Sequence, residues 1–522
     1  MNILIQHDPR SIALRSSGAN PYALIFRHSS RAEDKKNRCV VEFLPWKDVS
    51  ERGEYKLLQS VEVYGSLGLV DIDHGIQVPG LPWLTRDVFI CVITGRHRVA
   101  TIRPGETVDR IHAVEFYSLN RSKWDGFGPN HYSQIPGSYD YDADRAAQEG
   151  GEFEHPCEPL KKLLSGGSFF FSVDCDLTNR LQNRYLRSIR CSNGRSFNAP
   201  FELAAADDQF LWNSYMLAPL LPFREHLPPQ ERAVLDSSQL LTPVIRGHAS
   251  SMKCRIGLTP GIMTLISRLS CRRAGTRFNA RGIDDEGNVA DFVETETILA
   301  TDEWVFSYAQ IRGSVPLFWE QSGLQLPGSS KITITRSPEA TQPAFNLHFQ
   351  TLLEKYGAVH VVNLLSQQAK HGEANLSHEY NAHLEDLPSE EGRQVSITNF
   401  DFHAVTGGDF RLATNIRPLL TIAAEEFVYY LEDVVTQSIV LSQAGVFRTN
   451  CLDCLDRTNV IQGIIDQIAI DSFLGHRDQI VGEEFWVVHG GLWADTGDAL
   501  SKIYAGTGAL KSSFTRKGGR SQ

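Results

Sequence analysis

The segment Gly445-Val-Phe-Arg-Thr-Asn-Cys451-Leu-Asp-Cys454-Leu-Asp-Arg457-Thr-Asn-Val460 has the pattern of a strand, a loop and a helix in succession. Gly445-Val-Phe is a short β-rich run that follows a polar stretch. Beyond Arg457, apolar residues recur at helical spacing, at Val460, Ile461, Ile464, Ile465, Ile468 and Ala469. Cys451 and Arg457 therefore bracket a predicted strand–loop–helix turn.

This turn has the composition of a phosphate-binding loop. A loop that ends at a helix N-terminus directs backbone N–H groups inward and adds the positive end of the helix dipole, which suits a phosphate. A free thiol has a pKa of about 8.5, and a helix N-terminus or a cation lowers it, so Cys451 is a candidate nucleophile. Arg457 supplies a planar fork that matches two phosphate oxygens. We expect thiolate attack on phosphorus, a cysteinyl-phosphate intermediate and hydrolysis by water, with no metal and no other cofactor.

The leaving alkoxide needs a proton, so an acid is expected nearby. Asp453 and Asp456 lie inside the loop, where carboxylates beside a phosphate would have raised pKa values. We favour Asp453 as the general acid. Asp456 instead stabilises the loop in this interpretation, by accepting hydrogen bonds from backbone N–H groups or from an arginine. The predicted substrate-binding residues of the segment are Asn450, Leu452, Cys454, Leu455, Asp456 and Thr458.

The loop has two other interpretations. The spacing Cys451-x-x-Cys454 also fits half of a zinc site or a redox pair. A complete zinc site has little support, because no second Cys-x-x-Cys or histidine pair lies at ligand spacing. A bare Cys-x5-Arg also arises by chance. The strand before it, the helix after it and Thr458 beside the arginine favour a phosphate-handling loop.

The segment Arg448–Asn459 resembles the signature of the Sac-domain (suppressor-of-actin) phosphoinositide phosphatases. The resemblance covers roughly residues 60 to 516 and is greatest to the Sac portion of synaptojanins. Further blocks in the family order begin at Phe171, Phe210, Arg273, Asp285, Gly313, Phe400 and Tyr504.

The resemblance implies an N-terminal β-rich domain packed on an α/β catalytic domain. It also implies removal of phosphate from phosphatidylinositol 4-phosphate and 3-phosphate, with the 3,5-bisphosphate as a further candidate. Some synaptojanin Sac domains have lost the catalytic residues, but Cys451 and Arg457 are both present here, so we expect activity. The implied partners are phosphoinositides at the cytosolic membrane surface, with endocytic adaptors or actin regulators as candidate proteins. The 5-phosphatase domain of full synaptojanins is not expected within this sequence.

Two other functions remain as alternatives. The first is a catalytically silent module that binds phosphoinositides or protein partners. The second is a phosphotyrosine phosphatase. By analogy, the loop argues against the second, because no glycine lies between Cys451 and Arg457 and Asn450, not histidine, precedes the cysteine.

Composition agrees with a large globular protein. The 522 residues are 42% hydrophobic, and the net charge of −11 disfavours bulk nucleic-acid binding. Nine scattered cysteines indicate a reducing compartment rather than a disulfide framework. No stretch approaches about 18 apolar residues, and the first residues lack the pattern of a secretory signal. We expect a cytoplasmic protein that associates peripherally with membranes.

The pattern along the chain predicts a mixed α/β fold with a domain boundary near residue 205. Residues 1–205 form the β-rich part, 206–510 the catalytic domain and 511–522 a flexible basic tail. Gly95-Arg-His-Arg reads as a hairpin turn, residues 125–159 and 369–394 as polar insertions, and Pro418–Ser442 as a helical pattern.

A local basic face should offset the acidic net charge at a membrane. Arg272 and Arg273 belong to the densest basic segment, and a second cluster lies in the tail. The alternative is that these arginines pair with nearby acids at 284–286. Asp401-Phe-His403 is a further candidate near the phosphate, although a core histidine is the simpler interpretation.

Overall fold

A computed structural model gives the structure of most of the chain. It describes residues 1–29, 39–58, 62–73, 86–125, 155–192, 202–322, 331–368, 372–388 and 394–509. The predicted basic tail and most of the first polar insertion lie outside these residues.

The fold is mixed α/β, as the sequence predicts. The strands are β1 Asn2–His7, β2 Arg10–Arg15, β3 Tyr22–His28, β4 Cys39–Pro45, β5 Lys56–Leu57, β6 Ser66–Asp73, β7 Arg86–Arg103, β8 Glu106–Ser118, β9 Phe169–Phe171, β10 Ile245–Ile256, β11 Thr259–Leu269, β12 Val293–Ala300, β13 Trp304–Arg312, β14 Trp319–Ser322, β15 Lys331–Ile334, β16 Ala358–Asn363, β17 Val395–Asn399, β18 Tyr430–Asp433, β19 Ser438–Leu441 and β20 Gly445–Asn450. The α-helices are Trp46–Arg52, Glu158–Leu164, Leu181–Ser192, Ser214–Leu217, Leu221–His226, Pro229–Ser238, Pro338–Tyr356, Gly372–Glu385, Phe402–Thr406, Arg417–Phe427, Asp456–His476 and Glu483–Ala505. Short 3₁₀ helices cover Ser122–Trp124, Leu203–Ala205 and Phe410–Ile416.

The first sheet is a small antiparallel layer in the order β4-β3-β2-β1-β5. Both faces of its central strands β1, β2 and β3 are buried, which explains why these strands read as continuous apolar runs rather than alternating ones. One face, including Leu24 and Phe26, joins a core with β6 and β7, and the other packs around Val49 of the first helix.

The second sheet has 13 strands and extends through both halves of the chain. Its main path is β17-β16-β20-β13-β12-β11-β10-β9-β8-β7-β6. Strand β9 pairs with β10, opposing Phe170 and Ile245, so the ladder crosses the position where the sequence suggests a boundary. The boundary near residue 205 stays a prediction.

The predicted hairpin at Gly95 is wrong. Strand β7 runs uninterrupted past this residue, and the chain reverses at 104–105 instead. The pairing of β7 with β8 shifts register on both sides of Gly95, so the glycine marks a bulge rather than a turn. A Cβ at Gly95 would lie 2.5 Å from Nε2 of His112, which explains the need for glycine there.

Two predictions in the second half also need correction. The pattern over Pro418–Ser442 yields a helix only to Phe427, after which Val428 has φ of 47° and strands β18 and β19 follow. The polar segment 369–394 contains the helix Gly372–Glu385. Its fully buried Leu376 and Tyr380 are four residues apart, so one apolar stripe holds an otherwise polar helix in place.

The parallel part of the large sheet positions the candidate site. Strand β20 lies between β13 and β16 and runs parallel to both, and β16 is parallel to β17. Their carboxyl ends therefore meet at one edge, which is where α/β sheets bind ligands. In the part of the chain that the structure describes, no helix is both long and apolar enough to cross a membrane.

Candidate active site

The loop between β20 and the helix Asp456–His476 encloses the sulfur of Cys451. The residue is 2% exposed, and its Sγ accepts a hydrogen bond from the backbone N–H of Cys454 at 2.9 Å. Cys454 has φ of 53°, a left-handed conformation that non-glycine residues seldom adopt. This turn directs its N–H toward the sulfur.

The two loop cysteines have opposite acidities. Burial alone would raise the pKa of Cys451, but hydrogen bonds from Cys454 and Thr458 and the charge of Arg457 outweigh it and lower the pKa to about 6. Burial raises the pKa of Cys454 well above its usual value, and its Sγ donates to the Gly313 carbonyl at 3.0 Å. At neutral pH, Cys451 is mostly a thiolate and Cys454 a neutral thiol.

Arg457 lies in the first turn of the helix and is held by an acid that the sequence did not single out. Its Nη1 and Nη2 donate to the two carboxylate oxygens of Glu373 at 3.1 and 2.9 Å. Both side chains are largely buried, at 14% and 13% exposure. Glu373 belongs to the helix inside the predicted polar insertion and lies 84 residues before Arg457, so no local motif links the two.

Asp453, the predicted acid, forms an ion pair with Arg281 at 2.6 Å and is 35% exposed. Arg281 also donates to the backbone carbonyl of Leu452 at 3.0 Å and to Gln321 at 2.8 Å. Arg281 therefore braces the outer side of the loop at two adjacent residues.

The other residues predicted to bind substrate lie at different depths. Asn450 is fully buried, and its side chain donates to Oδ1 of Asn363 at the end of the neighbouring strand. Leu455 precedes the helix, Asp456 begins it, and Thr458 is fully buried in its first turn. Their contacts with substrate stay predictions.

Arg272 and Arg273 both have partners within the protein. Arg272 is exposed and pairs with Asp208 at 2.7 Å, not with the acids at 284–286. Arg273 donates to the backbone carbonyls of Arg281 and Gly282, the latter at 3.0 Å. It therefore supports the segment that carries Arg281, while contact of this pair with lipid stays a prediction.

Two further charged residues near the loop were missed. Arg312, fully buried at the end of β13, donates to the carbonyl of Cys454 at 3.4 Å and to Asn459 at 3.1 Å. Asp291 is buried, and its Oδ2 has no hydrogen-bond partner among the described residues. Burial, with smaller effects from Cys451 and Asp453, raises its pKa well above the usual value. Asp291 lies in the family block that begins at Asp285, and Arg312 precedes the block that begins at Gly313, but the sequence analysis assigned neither residue a role.

The candidate at 401–403 borders the site. Asp401 caps the helix Phe402–Thr406 and accepts from the backbone N–H of Gln367 at 2.9 Å. His403 is exposed, so the interpretation as a core histidine is wrong. It lies in the short helix Phe402–Thr406 that follows β17, at the same sheet edge as Cys451.

Cys451 and Cys454 are both free thiols. Within the described ranges of the chain, no group of three or more histidine, cysteine or acidic side chains is arranged to hold a metal ion. Near the Cys451 sulfur, the backbone N–H of Cys454 and the guanidinium of Arg457 are donors suited to an oxyanion.

Known proteins match the chain along nearly its whole length. The profile of the SacI homology domain matches residues 77–407. The chain is 43% identical over 522 residues to "Inositol-1,4,5-trisphosphate 5-phosphatase 1" of Schizosaccharomyces pombe, covering 99% of the chain and 45% of that relative. It is 39% identical to "Polyphosphatidylinositol phosphatase INP53" of Saccharomyces cerevisiae, again covering 99% and 45%. It is 32% identical to human "Synaptojanin-1", covering 96% of the chain and 28% of the relative.

The chain thus spans less than half the length of these relatives. The profile match covers more than half of the chain and ends before Cys451, while the matches to the relatives include the loop. The resemblance read from the motifs is confirmed: the chain belongs to the SacI homology domain family.

Proposed function

We propose that this chain is a metal-independent, cysteine-dependent phosphoinositide phosphatase. The observation that carries the proposal is the Cys451 sulfur, which receives a backbone N–H from Cys454 and whose pKa is lowered to about 6 with the help of Arg457. A buried thiolate beside an arginine at a helix N-terminus is a nucleophile matched to a phosphate group.

The proposed reaction proceeds in two displacements. The phosphate monoester binds against the loop and the guanidinium of Arg457, and the Cys451 thiolate attacks phosphorus in line with the inositol oxygen. The phosphorus–oxygen bond breaks while Asp453 gives a proton to the leaving alkoxide. Water then attacks the cysteinyl phosphate, Asp453 takes its proton, and release of phosphate restores the thiolate.

The proposed substrates are phosphatidylinositol 4-phosphate and 3-phosphate, followed by the 3,5-bisphosphate. The family resemblance supports a phosphoinositide, and the name of the INP53 relative agrees with this class. The name of the S. pombe relative refers to a 5-phosphatase, but the chain covers only 45% of that protein. We therefore do not propose 5-phosphate as the preferred target.

The proposed setting is the cytosolic surface of a membrane, where the chain associates peripherally. Arg272 is exposed on the surface, and a cation near an anionic leaflet contributes about 1 kcal/mol to docking. Proteins of endocytosis or actin regulation are proposed partners by family resemblance.

The test is phosphate release from short-chain phosphatidylinositol phosphates in EDTA. We expect release by the wild type and by Cys454→Ser, and none by Cys451→Ser, with the 4- and 3-phosphates cleaved fastest. Loss of activity in EDTA alone would contradict the metal-independent mechanism. If neither the wild type nor either variant releases phosphate, but the proteins still bind liposomes of the same lipids, the chain is a binding module. Faster cleavage of a phosphotyrosine peptide than of any lipid would identify a protein phosphatase.

A further inference from the structure

The guanidinium of Arg457 is occupied along one edge. Nη1 donates to Glu373 at 3.1 Å and to the backbone carbonyl of Leu364 at 3.5 Å, and Nη2 donates to Glu373 at 2.9 Å. A guanidinium has five N–H donors: one on Nε and two on each Nη. Glu373 and Leu364 therefore account for three of the five.

The two remaining donors lie on the other edge. They are the N–H of Nε and the second N–H of Nη2, and among the described residues no acceptor bonds to Nε. These two N–H groups are parallel, which is the geometry that a guanidinium uses to bind two oxygens of one phosphate. The contact with Glu373 thus leaves open the edge that an oxyanion requires.

Glu373 is itself fixed in place. The oxygen that meets Nη1 also accepts the backbone N–H of Ser366 at 3.0 Å, at the loop that follows β16. Burial would raise the pKa of Glu373, but the hydrogen bond and charge of Arg457 outweigh it, so the pKa is lowered and the side chain remains a carboxylate. The residue also lies in the first turn of a 14-residue helix, where a negative charge is favourable.

We propose that Glu373 is the positioning residue of the site: it holds the guanidinium of Arg457 by one edge so that the Nε–Nη2 edge is presented to the phosphate. The role rests on the proposed function, because the phosphate is the substrate's. An arginine side chain otherwise samples many rotamers, and ordering it before substrate arrives lowers the entropic cost of binding.

Two other roles for the pair predict different behaviour. If the pair only stabilises the fold, its loss lowers Tm without changing anion affinity. If Glu373 is a latch that phosphate must displace, its removal tightens anion binding, because a competing carboxylate has gone. The affinity for a simple tetrahedral oxyanion separates the three roles.

The experiment measures tungstate binding to the full chain by calorimetry, together with Tm and phosphate release. Glu373→Gln keeps the shape and removes the charge, and we expect it to weaken tungstate binding about tenfold. Glu385→Gln, an exposed acid on the same helix, is the matched control and should leave the Kd within about twofold. In an Arg457→Lys background, Glu373→Gln should add less than about twofold, because lysine has no second edge to position.

An unchanged or lower Kd in Glu373→Gln would overturn the proposal, as would a wild type that binds no tungstate. If Glu373→Gln fails to fold, Glu373→Asp replaces it: the shorter acid keeps the charge but cannot reach both nitrogens equally, and it should weaken binding in the same direction. Tungstate binding needs no turnover. A wild type that releases no phosphate but shows the expected Kd changes would refute the proposed function and leave the positioning role standing.

Discussion

The backbone N–H of Cys454 meets the sulfur of Cys451 at 2.9 Å, and the left-handed turn at Cys454 makes this contact. The second cysteine of the motif thus contacts the first through its main chain, and its side chain also helps to lower the pKa of Cys451. The Cys454 thiol donates to the carbonyl of Gly313 at 3.0 Å.

The first prediction concerns the reactivity of Cys451. Its pKa is lowered to about 6, so the alkylation rate with iodoacetamide should rise with pH, reach half of its plateau near pH 6 and be flat above pH 7. Arg457→Met removes a charge that favours the thiolate, and the midpoint should move upward by about one pH unit. Mass spectrometry of the labelled peptide separates Cys451 from Cys454, whose raised pKa keeps it unreactive. A midpoint above pH 8 in the wild type would contradict the assigned environment.

The second prediction concerns the brace formed by Arg281. Arg281→Met removes the partner of Asp453 and the donor to the Leu452 carbonyl, so the loop loses two contacts on one side. We expect phosphate release to fall about 10- to 100-fold, since small displacements of reacting groups have effects of this size. Arg336→Met, which breaks an exposed pair with Asp285, is the control and should leave release unchanged. Equal activity of the two variants would show that the brace is not needed.

The third prediction concerns docking through Arg272. This side chain is exposed, so Arg272→Ala should reduce binding to anionic liposomes about fivefold, the effect of about 1 kcal/mol from one surface cation. Activity on short-chain soluble lipids should stay the same. Arg411→Ala, at another exposed arginine paired with a single aspartate, tests whether any lost positive charge has this effect. A similar loss in both variants would indicate a general charge effect rather than a docking site.

The fourth prediction concerns the buried hydrogen bonds of Asp466, in the helix Asp456–His476 that follows the Cys451 loop. Oδ2 of Asp466 is fully buried and accepts from Thr297 at 2.8 Å and from Trp493 at 2.9 Å, and Nε2 of His489 lies 2.9 Å away. Asp466→Ala leaves these polar groups buried without an acceptor and should lower the free energy of unfolding by about 3–5 kcal/mol. Denaturant titration measures the change, with exposed Asp302→Ala as the control. A loss below about 1 kcal/mol would mean that the network can rearrange.

The residues that form the strand, loop and helix around Cys451 could be predicted because they are adjacent in sequence. Their periodicity changes from strand to helix within a few positions, and the β20 and Asp456–His476 elements agree with it. The partners of this loop could not be predicted in the same way. Glu373, Arg281 and Arg312 reach it from three separate segments: Arg312 ends β13, Glu373 follows β16, and Arg281 lies between β11 and β12.

The errors in the fold have local physical causes. Gly95 looked like a turn because glycine and polar residues interrupt two apolar runs, but a bulge satisfies the same pattern without reversing the chain. The helix Gly372–Glu385 was hidden because its outer faces are polar and only a narrow stripe is buried. Because that helix was not predicted, its residue Glu373 was not predicted as a partner of Arg457 either.

The most direct test of the thiolate mechanism is to trap the phosphorylated enzyme. Wild-type protein mixed with short-chain phosphatidylinositol 4-phosphate in EDTA and quenched within milliseconds should carry one phosphate on the peptide that contains Cys451, and Cys451→Ser should carry none. Phosphate release by the wild type with no cysteinyl phosphate at any time, or release that persists in Cys451→Ser, would contradict it.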